Sequence, residues 1–190
     1  MMPRTAFISG PLDAPDEYFD THYRARIDQA IRDGDNFVMG PVAGIDTMAL
    51  QYLLAHPDGV LPRRITVYMA HFEYQTVARR KSFEALGVNV REVGDVHTTT
   101  GMRDAKMTEE SDYDVLRYRS ESEAKEWYGS AWWPRVSNTE MNERRRKGVW
   151  SREYTLGGSV REEGEREEHE ESEKETSTKS KRFKRVFGLK

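Results

Sequence analysis

Short apolar runs alternate with helix-length amphipathic segments along most of this chain, and this alternation constrains its fold more than any other feature. Five runs predict buried strands: 5–9, 36–39, 64–70, 88–93 and 113–118. Apolar residues at helical spacing predict helices between and after them: 16–33, 47–55, 75–86, 101–110, 122–128 and 138–147. Strands that alternate with helices form parallel βαβ units with helices on both faces of the sheet. The sequence therefore predicts a Rossmann-like α/β fold, with three layers and a mainly parallel five-stranded sheet.

The composition changes after residue 150. Residues 161–175 hold nine Glu against three basic residues, and residues 179–190 hold six Lys or Arg and no acid. Few apolar side chains are present there to offset the conformational entropy that folding costs. We therefore expect one domain at 1–150 and a disordered charged tail at 151–190. A long solvent-exposed helix through the glutamate run is the alternative.

Several classes of protein are excluded by composition. The chain has no cysteine, which excludes a disulfide scaffold, a cysteine zinc site and a thiol nucleophile. Its net charge of -3 gives no overall basic field of the kind that general nucleic-acid binders carry. No apolar run is long enough for a membrane span, and residues 1–5 lead into a strand without a secretory signal. We expect an intracellular protein, cytoplasmic or nuclear.

The basic C-terminal end interleaves its charges with Phe183, Val186, Phe187 and Leu189. Such a segment attracts an acidic partner, which includes anionic lipid, nucleic acid and a nuclear import receptor. Electrostatic pairing with the acidic run just before it explains the same charges. Both interpretations stay open.

The loop after the first strand, residues 9–13, is called the first loop. In a parallel sheet, ligands bind outside the carboxyl ends of the strands, so this loop is a candidate for ligand contact. Its candidate binding residues are Ser9, Gly10, Pro11 and Asp13. Gly10 lets the backbone approach a ligand closely, and Ser9 supplies a hydroxyl. A plain turn between strand and helix is an equally good interpretation.

The loop after the second strand, residues 39–47, is called the second loop and opens a helix. Its candidate binding residues are Gly40, Pro41, Gly44 and Asp46. Free backbone N–H groups at a helix N-terminus favour phosphate or another anion. The loop matches neither the Walker A nor the GxGxxG pattern. Asp46 is interpreted as a helix cap, as a ligand contact, or as both.

The run from Phe7 to Gly10, followed by a helix, a strand and the run from Gly40 to Asp46, resembles the SLOG superfamily. This Rossmann-like superfamily includes the Lonely Guy phosphoribohydrolases and the DNA-processing protein A domain. Together with Arg103-Asp104 and residues 111–116, the same runs look like the related nucleoside 2-deoxyribosyltransferases. The resemblance covers residues 4–148. It implies a nucleotide or nucleoside derivative as ligand, and a dimer by analogy.

Both families have a late loop that opens a helix and carries a catalytic Glu. The corresponding residues Ser137, Asn138 and Thr139 are typical helix caps, and they present hydroxyl and N–H groups suited to phosphate. The resemblance implies that Glu140 or Glu143 is the carboxylate beneath C1 of the sugar, where it stabilises the oxocarbenium-like state of N-glycosidic cleavage. A solvated charged face on this helix is the alternative.

One position departs from the Lonely Guy pattern. Counting from Thr139 puts Asn142 where that family has its Glu, and the glycines of that family's loop are missing. Asp104 and Asp112 are candidates for the second acid, which binds sugar hydroxyls or handles a proton. Surface pairing of Asp104 with Arg103 and a strand-end role for Asp112 are the alternatives.

Two functional hypotheses follow. The first is an enzyme that cleaves or transfers the N-glycosidic bond of a nucleotide or nucleoside. The second is a binding module that senses a nucleotide derivative without turnover and recruits partners through its tail. We expect neither a cofactor nor a metal ion, since His97 has no second ligand at metal-binding spacing. The aromatic residues at 127–133, called the aromatic segment, are interpreted as a packed flap over the edge of the sheet, as a lid or as an oligomer contact.

Overall fold

The computed structural model describes residues 2–154, and these contain five parallel strands. The strands are β1 Thr5–Ser9, β2 Asn36–Met39, β3 Ile65–Ala70, β4 Asn89–Val93 and β5 Tyr113–Leu116. Their order in the sheet is β4-β3-β2-β1-β5, and every neighbouring pair is parallel. The predicted α/β class and the five-stranded sheet are confirmed.

Helices connect the strands and cover the sheet. They are α1 Asp16–Phe19, α2 Ala25–Arg32, α3 Ile45–Ala55, α4 His71–Tyr74, α5 Val77–Glu84, α6 Thr100–Glu109, α7 Glu121–Tyr128 and α8 Asn138–Arg146. A π-helical turn at Asp20–Arg24 joins α1 to α2, and short 3₁₀ turns lie at Pro62–Arg64 and Gly129–Ala131. The helix predicted at 75–86 is α5 Val77–Glu84, and a separate short helix that was not predicted, α4, precedes it directly after β3.

The start of α3 differs from the prediction. Gly44 is the residue that caps this helix, with φ 76° and ψ -133°, and Asp46 lies inside the first turn with its side chain buried. The prediction that Asp46 caps the helix is therefore wrong. Its carboxyl group instead accepts a hydrogen bond from the Gly40 N–H.

Alternate residues of the strands form two separate apolar cores. In β1, Ala6 and Ile8 face the larger core, which packs against α2, α3 and α5, whereas Phe7 faces a smaller core that includes Met107 of α6. This alternation follows from the two-residue period of a strand. Each fully buried large apolar side chain contributes roughly 1.5–3 kcal/mol of burial free energy. The two cores fix helices on both faces of the sheet.

The strongly charged α8 packs on the domain through its arginines. Arg146 donates hydrogen bonds to Asp114 and to the carbonyls of Thr108 and Ser111. Arg144 is buried and pairs with Glu140 at 2.7 Å. The alternative of a solvated charged face is therefore wrong for this part of α8, because these side chains satisfy groups at the ends of β5 and α6.

The strand order reverses between β1 and β5. The chain adds β2, β3 and β4 on one side of β1 and then returns to place β5 on the other side. Helices therefore leave the carboxyl ends of these two neighbouring strands in different directions, which opens a crevice there. This crevice positions the site described below.

Within residues 2–154, every helix is too short or too polar to cross a lipid bilayer. From residue 155 onward, the predicted charged tail lies outside the described residues, and so does the partner contact predicted for its basic end.

Candidate functional site

A cavity of about 760 Å³ lies at the carboxyl ends of β1 and β5. Its lining comes from the first loop, the start of α3, the helix α6, the aromatic segment after α7 and the start of α8. Ligand cavities of drug-sized and nucleotide-sized molecules occupy about 300–1,000 Å³. The first loop and the late loop, which the sequence assigned to one site, therefore line one cavity, and the second loop reaches it through Val42 and Asp46.

The first loop is shaped by packing as well as by its place at the cavity. A Cβ atom on Gly10 would lie 2.4 Å from both Ile45 Cγ1 and Tyr23 Oη. The Tyr23 hydroxyl lies 2.9 Å from the Ser9 carbonyl and accepts the Arg117 N–H, so it holds the ends of β1 and β5 together. Gly10 is required because the space behind it is filled by these side chains.

Asp13 joins the first loop to the segment that follows β5. Its carboxylate accepts hydrogen bonds from Arg119 at 2.8 Å, from Trp127 Nε1 at 3.0 Å and from the Tyr128 hydroxyl at 3.3 Å. Burial acts to raise the pKa of Asp13, but these hydrogen bonds lower it below its usual value. The charged Asp13 carboxylate therefore lines the cavity and holds Trp127 and Tyr128 against the first loop.

The second loop is also explained by packing. A Cβ on Gly40 would lie 2.7 Å from Asp46 Oδ2, and a Cβ on Gly44 would lie 2.3 Å from the carbonyl oxygen of Pro11. The Ile45 N–H at the start of α3 donates to the same Pro11 carbonyl. The N–H groups of Gly40 and Ile45 therefore have partners within the protein. Pro41 is buried, and its carbonyl accepts a hydrogen bond from Arg79.

A buried ion cluster lies beside the second loop and consists of Asp46, Glu73, Arg103 and Asp104. Arg103 Nη1 donates to Glu73 at 2.6 Å, and its Nε and Nη2 donate to Asp104 at 3.0 and 2.8 Å. Asp104 is therefore not the surface ion pair that was one alternative. Three of the four, Asp46, Arg103 and Asp104, line the cavity.

Protonation of the buried ion cluster is set by burial. Burial raises the pKa of Asp46 well above its usual value, and the neighbouring Asp104 raises it further, while Arg103 and the Gly40 N–H oppose the rise. Burial also raises the pKa of Asp104, against the lowering effect of Arg103. A desolvated carboxyl group favours its neutral form, so burial shifts Asp46 and Asp104 toward protonation.

The late loop presents the start of α8 to the cavity. Ser137 caps the helix by accepting the Glu140 N–H at 3.0 Å, and Asn138 and Thr139 form its first turn. All four residues line the cavity. The first N–H groups of α8 and its positive dipole end are therefore directed toward this space.

Asn142, which counting from Thr139 puts at the glutamate position of the Lonely Guy pattern, is fully buried. Its amide nitrogen donates to Ser9 Oγ at 3.0 Å, its oxygen accepts from Arg145 at 2.7 Å, and it also hydrogen-bonds Asp104. A carboxylate here would add a negative charge next to Asp104. A neutral amide avoids that repulsion and ties α8 to the end of β1.

The two candidate catalytic glutamates are placed differently. Glu140 lines the cavity while it pairs with Arg144. Glu143 accepts a hydrogen bond from Tyr118 Oη at 3.0 Å and pairs with Lys147 at 3.2 Å. Among residues 2–154, the cavity lining includes Glu140 but not Glu143.

Asp112 lies away from the cavity. It precedes β5 and accepts the Thr5 N–H at 2.6 Å, where Thr5 begins β1. Because the strands are parallel, this is the amino-terminal edge of the sheet, whereas the cavity lies at the carboxyl edge. The structure therefore places Asp112 at the strand end, as in the alternative interpretation, and apart from the other candidate binding residues that line the cavity.

Several lining residues were missed from the sequence. Arg119 has a side chain only 7% exposed and stacks on Trp127 at 4.3 Å from the ring centroid. Glu73, which belongs to the buried ion cluster and not to the lining formed by residues 2–154, comes three residues after β3, and its position directly beyond a strand was the available signal. Phe72, an aromatic residue that follows β3 at the same edge of the sheet, is exposed on α4 and is not part of the cavity lining formed by residues 2–154.

Neither the arrangement of possible metal ligands nor the comparison with known proteins identifies a metal ion or a family for this site. In residues 2–154, no group of three His, Cys, Asp or Glu side chains is arranged to hold a metal ion. Comparisons of the chain with protein-family models, with curated proteins and with solved structures find no match. The functional argument therefore depends on the cavity itself.

Proposed function

We propose that this protein binds a nucleotide or nucleoside derivative in the cavity at the carboxyl ends of β1 and β5. The observation that carries the proposal is the position of this cavity at the reversal of strand order, with the start of α8 in its lining. In open parallel sheets, nucleotides bind at such a reversal, with phosphate at a helix N-terminus. The resemblance to the SLOG superfamily supports the same ligand class.

The aromatic lining provides surfaces for a base. Tyr128, Trp132 and Trp133 all line the cavity, and Asp13 holds Tyr128 in place. Flat π-systems stack on any nucleobase, so such a lining favours nucleosides over aliphatic anions. The packed-flap and lid interpretations of this segment are both compatible with this role.

The positively charged part of the cavity lining is suited to binding a phosphate group. Arg135 lies over the rings of Tyr128 and Trp133, at 5.7 and 4.9 Å from their centroids. Within residues 2–154, no carboxylate lies at ion-pair distance from its guanidinium group. Arginine matches phosphate with paired N–H donors, and the start of α8 adds backbone donors to the same cavity.

We expect Trp132→Ala to weaken nucleotide binding by roughly 5- to 150-fold, because stacking of a base on an aromatic ring contributes about 1–3 kcal/mol. Binding is measured by thermal stabilisation and calorimetry with a panel of nucleosides and nucleoside monophosphates. Phe72→Ala, which removes an exposed aromatic ring outside the cavity, is the matched control and leaves affinity unchanged. Failure of every nucleoside and nucleotide to stabilise the protein would contradict the proposal.

A second candidate function is cleavage or transfer of the N-glycosidic bond, and it is favoured by two carboxyl groups in the same cavity. Glu140 would stabilise positive charge on the sugar as the C1–N bond breaks. The leaving base nitrogen keeps the bonding electron pair and takes a proton from Asp104, whose pKa is raised by burial. Water, or a second base in a transfer reaction, then attacks C1 and gives its proton to the Asp104 carboxylate, which restores the starting form.

We expect Glu140→Gln to reduce release of free base by roughly 100-fold or more, because an amide cannot carry the stabilising charge. Glu143→Gln on the same helix is the matched control, since Glu143 lies outside the cavity lining, and its rate stays near wild type. Release is followed by chromatography of the free base. Nucleotide binding without any release would contradict cleavage and leave the binding proposal intact.

A further inference from the structure

A second, smaller cavity of about 490 Å³ adjoins the first. The two cavities share Thr100, Asn138 and Arg152 in their linings. Thr100 is the first residue of α6, and Asn138 is the first residue of α8. The second cavity therefore extends the main one from the start of α8 to the start of α6.

Two arginines converge on the second cavity. A Cβ atom on Gly101 would lie 3.5 Å from Arg145 Nη2 and 3.7 Å from Arg152 Nη2, so both guanidinium groups approach one point. Arg145 donates to Asn142 at 2.7 Å, and Arg152 donates to Asn138 at 3.1 Å. Both of these acceptors are neutral amide oxygens.

The charge of this arginine pair is not balanced locally. In the part of the chain that the structure describes, no carboxylate lies within ion-pair distance of either guanidinium group. Burial lowers the pKa of Arg145, Asp104 opposes this effect, and the charge of Arg152 lowers it further. Two like charges held close together store repulsion that a bound anion removes.

The start of α6 adds further donors at the same place. Thr99 caps this helix by accepting the Met102 N–H at 3.2 Å, and Thr100 and Gly101, whose N–H groups precede the first bond within the helix, line the second cavity. Arginine pairs with phosphate through two parallel N–H donors, and it is more suited than lysine to partly buried anions.

We propose that Arg145 and Arg152 form a phosphate subsite in the second cavity, separate from the start of α8. The proposal rests on the proposed function and narrows its ligand class. The ligand is a nucleotide with at least two phosphoryl groups, such as a nucleoside diphosphate or a pyrophosphate-linked derivative. One phosphoryl group lies at the start of α8, and the next lies between the two arginines.

The test compares ribonucleoside mono- and diphosphates by calorimetry on the full chain. For the preferred base, the wild-type protein binds the diphosphate about 10-fold more tightly than the monophosphate, as expected for added charge-assisted hydrogen bonds. Arg145→Gln removes this preference and leaves monophosphate affinity unchanged, because Arg145 is in the lining of the second cavity but not in that of the main one. Arg152→Gln removes the preference as well, and it also weakens monophosphate binding because Arg152 lines both cavities. Arg63→Gln, an exposed arginine in the 3₁₀ turn before β3, is the control for loss of one positive charge and keeps the preference.

Other outcomes overturn one proposal or the other. Equal affinity of the wild type for mono- and diphosphates overturns the subsite, and so does an equal loss of both affinities in Arg145→Gln. Both results are compatible with the proposed nucleotide binding. If no nucleotide binds, the proposed function fails, and inorganic pyrophosphate decides the subsite. Stabilisation of the wild type but not of Arg152→Gln by pyrophosphate supports it, and absence of stabilisation overturns it.

Discussion

Arg103→Met is expected to lower the free energy of unfolding by about 3–5 kcal/mol at neutral pH, because it leaves buried carboxylates without their counter-ion. Arg103 is 4% exposed and donates to both Glu73 and Asp104. Methionine keeps much of the side-chain volume, so lost packing contributes little. Removal of one partner from a buried ion pair costs far more than removal of an exposed one.

The destabilisation by Arg103→Met is expected to shrink at low pH. Burial already raises the pKa of Asp104, and loss of Arg103 removes a charge that lowers it. The native state then holds a proton that the unfolded state releases above about pH 4, so stability falls as pH rises from there to the raised pKa. Urea denaturation at pH 4 and pH 7 measures the difference.

Arg91→Met is the matched control for Arg103→Met. Arg91 pairs with Glu110, but its side chain is 50% exposed, so its loss is expected to cost no more than about 1 kcal/mol. Equal losses for the two variants, or a loss for Arg103→Met that does not change with pH, would contradict the buried ion cluster.

Gly44→Ala is expected to cost about 3 kcal/mol or more in unfolding free energy. Gly44 has φ 76° and ψ -133°, a conformation that L side chains rarely adopt. The added Cβ would also lie 2.3 Å from the Pro11 carbonyl oxygen and 2.5 Å from Leu12 backbone atoms. Backbone atoms cannot rotate away, so the first loop must shift.

Gly59→Ala separates the two contributions to the effect at Gly44. Gly59 has φ 65°, and its added Cβ would meet no atom within 4 Å. It therefore reports the cost of positive φ alone, about 1–2 kcal/mol. Thermal and urea denaturation of both variants give the difference, and a Gly44→Ala loss no larger than that of Gly59→Ala would contradict the close contact between the two loops.

The fold could be predicted from the sequence because its strands are short, apolar and separated by clear glycine and proline breaks. The β2 strand at Asn36–Met39 has the bounds that its run predicted, and β1 also matches. The predicted bounds of helices and strands were wrong where a helix follows a strand without a loop between them. The α4 helix begins at His71, immediately after β3, and the alternation of apolar residues gives no sign of that junction.

The candidate site could be predicted only in outline. Glycine and cap residues marked the first and late loops, because turn chemistry is local in sequence. The buried ion cluster was not predicted, since the contact of Glu73 with Arg103 spans 30 residues and depends on the packing of α4 against α6. The difference between Glu140 and Glu143 likewise depends on how α8 rotates against the sheet, which a uniformly charged helix does not reveal.

The cavity is lined by segments from both ends of the domain. The contact of Asp13 with Arg119 spans 106 residues, and that of Ser9 with Asn142 spans 133. A ligand held between these segments acts as a reversible cross-link between the first strand and the last helix. Its binding free energy therefore stabilises the complete domain, and a fragment that lacks α8 would lose the attachment points that this helix provides.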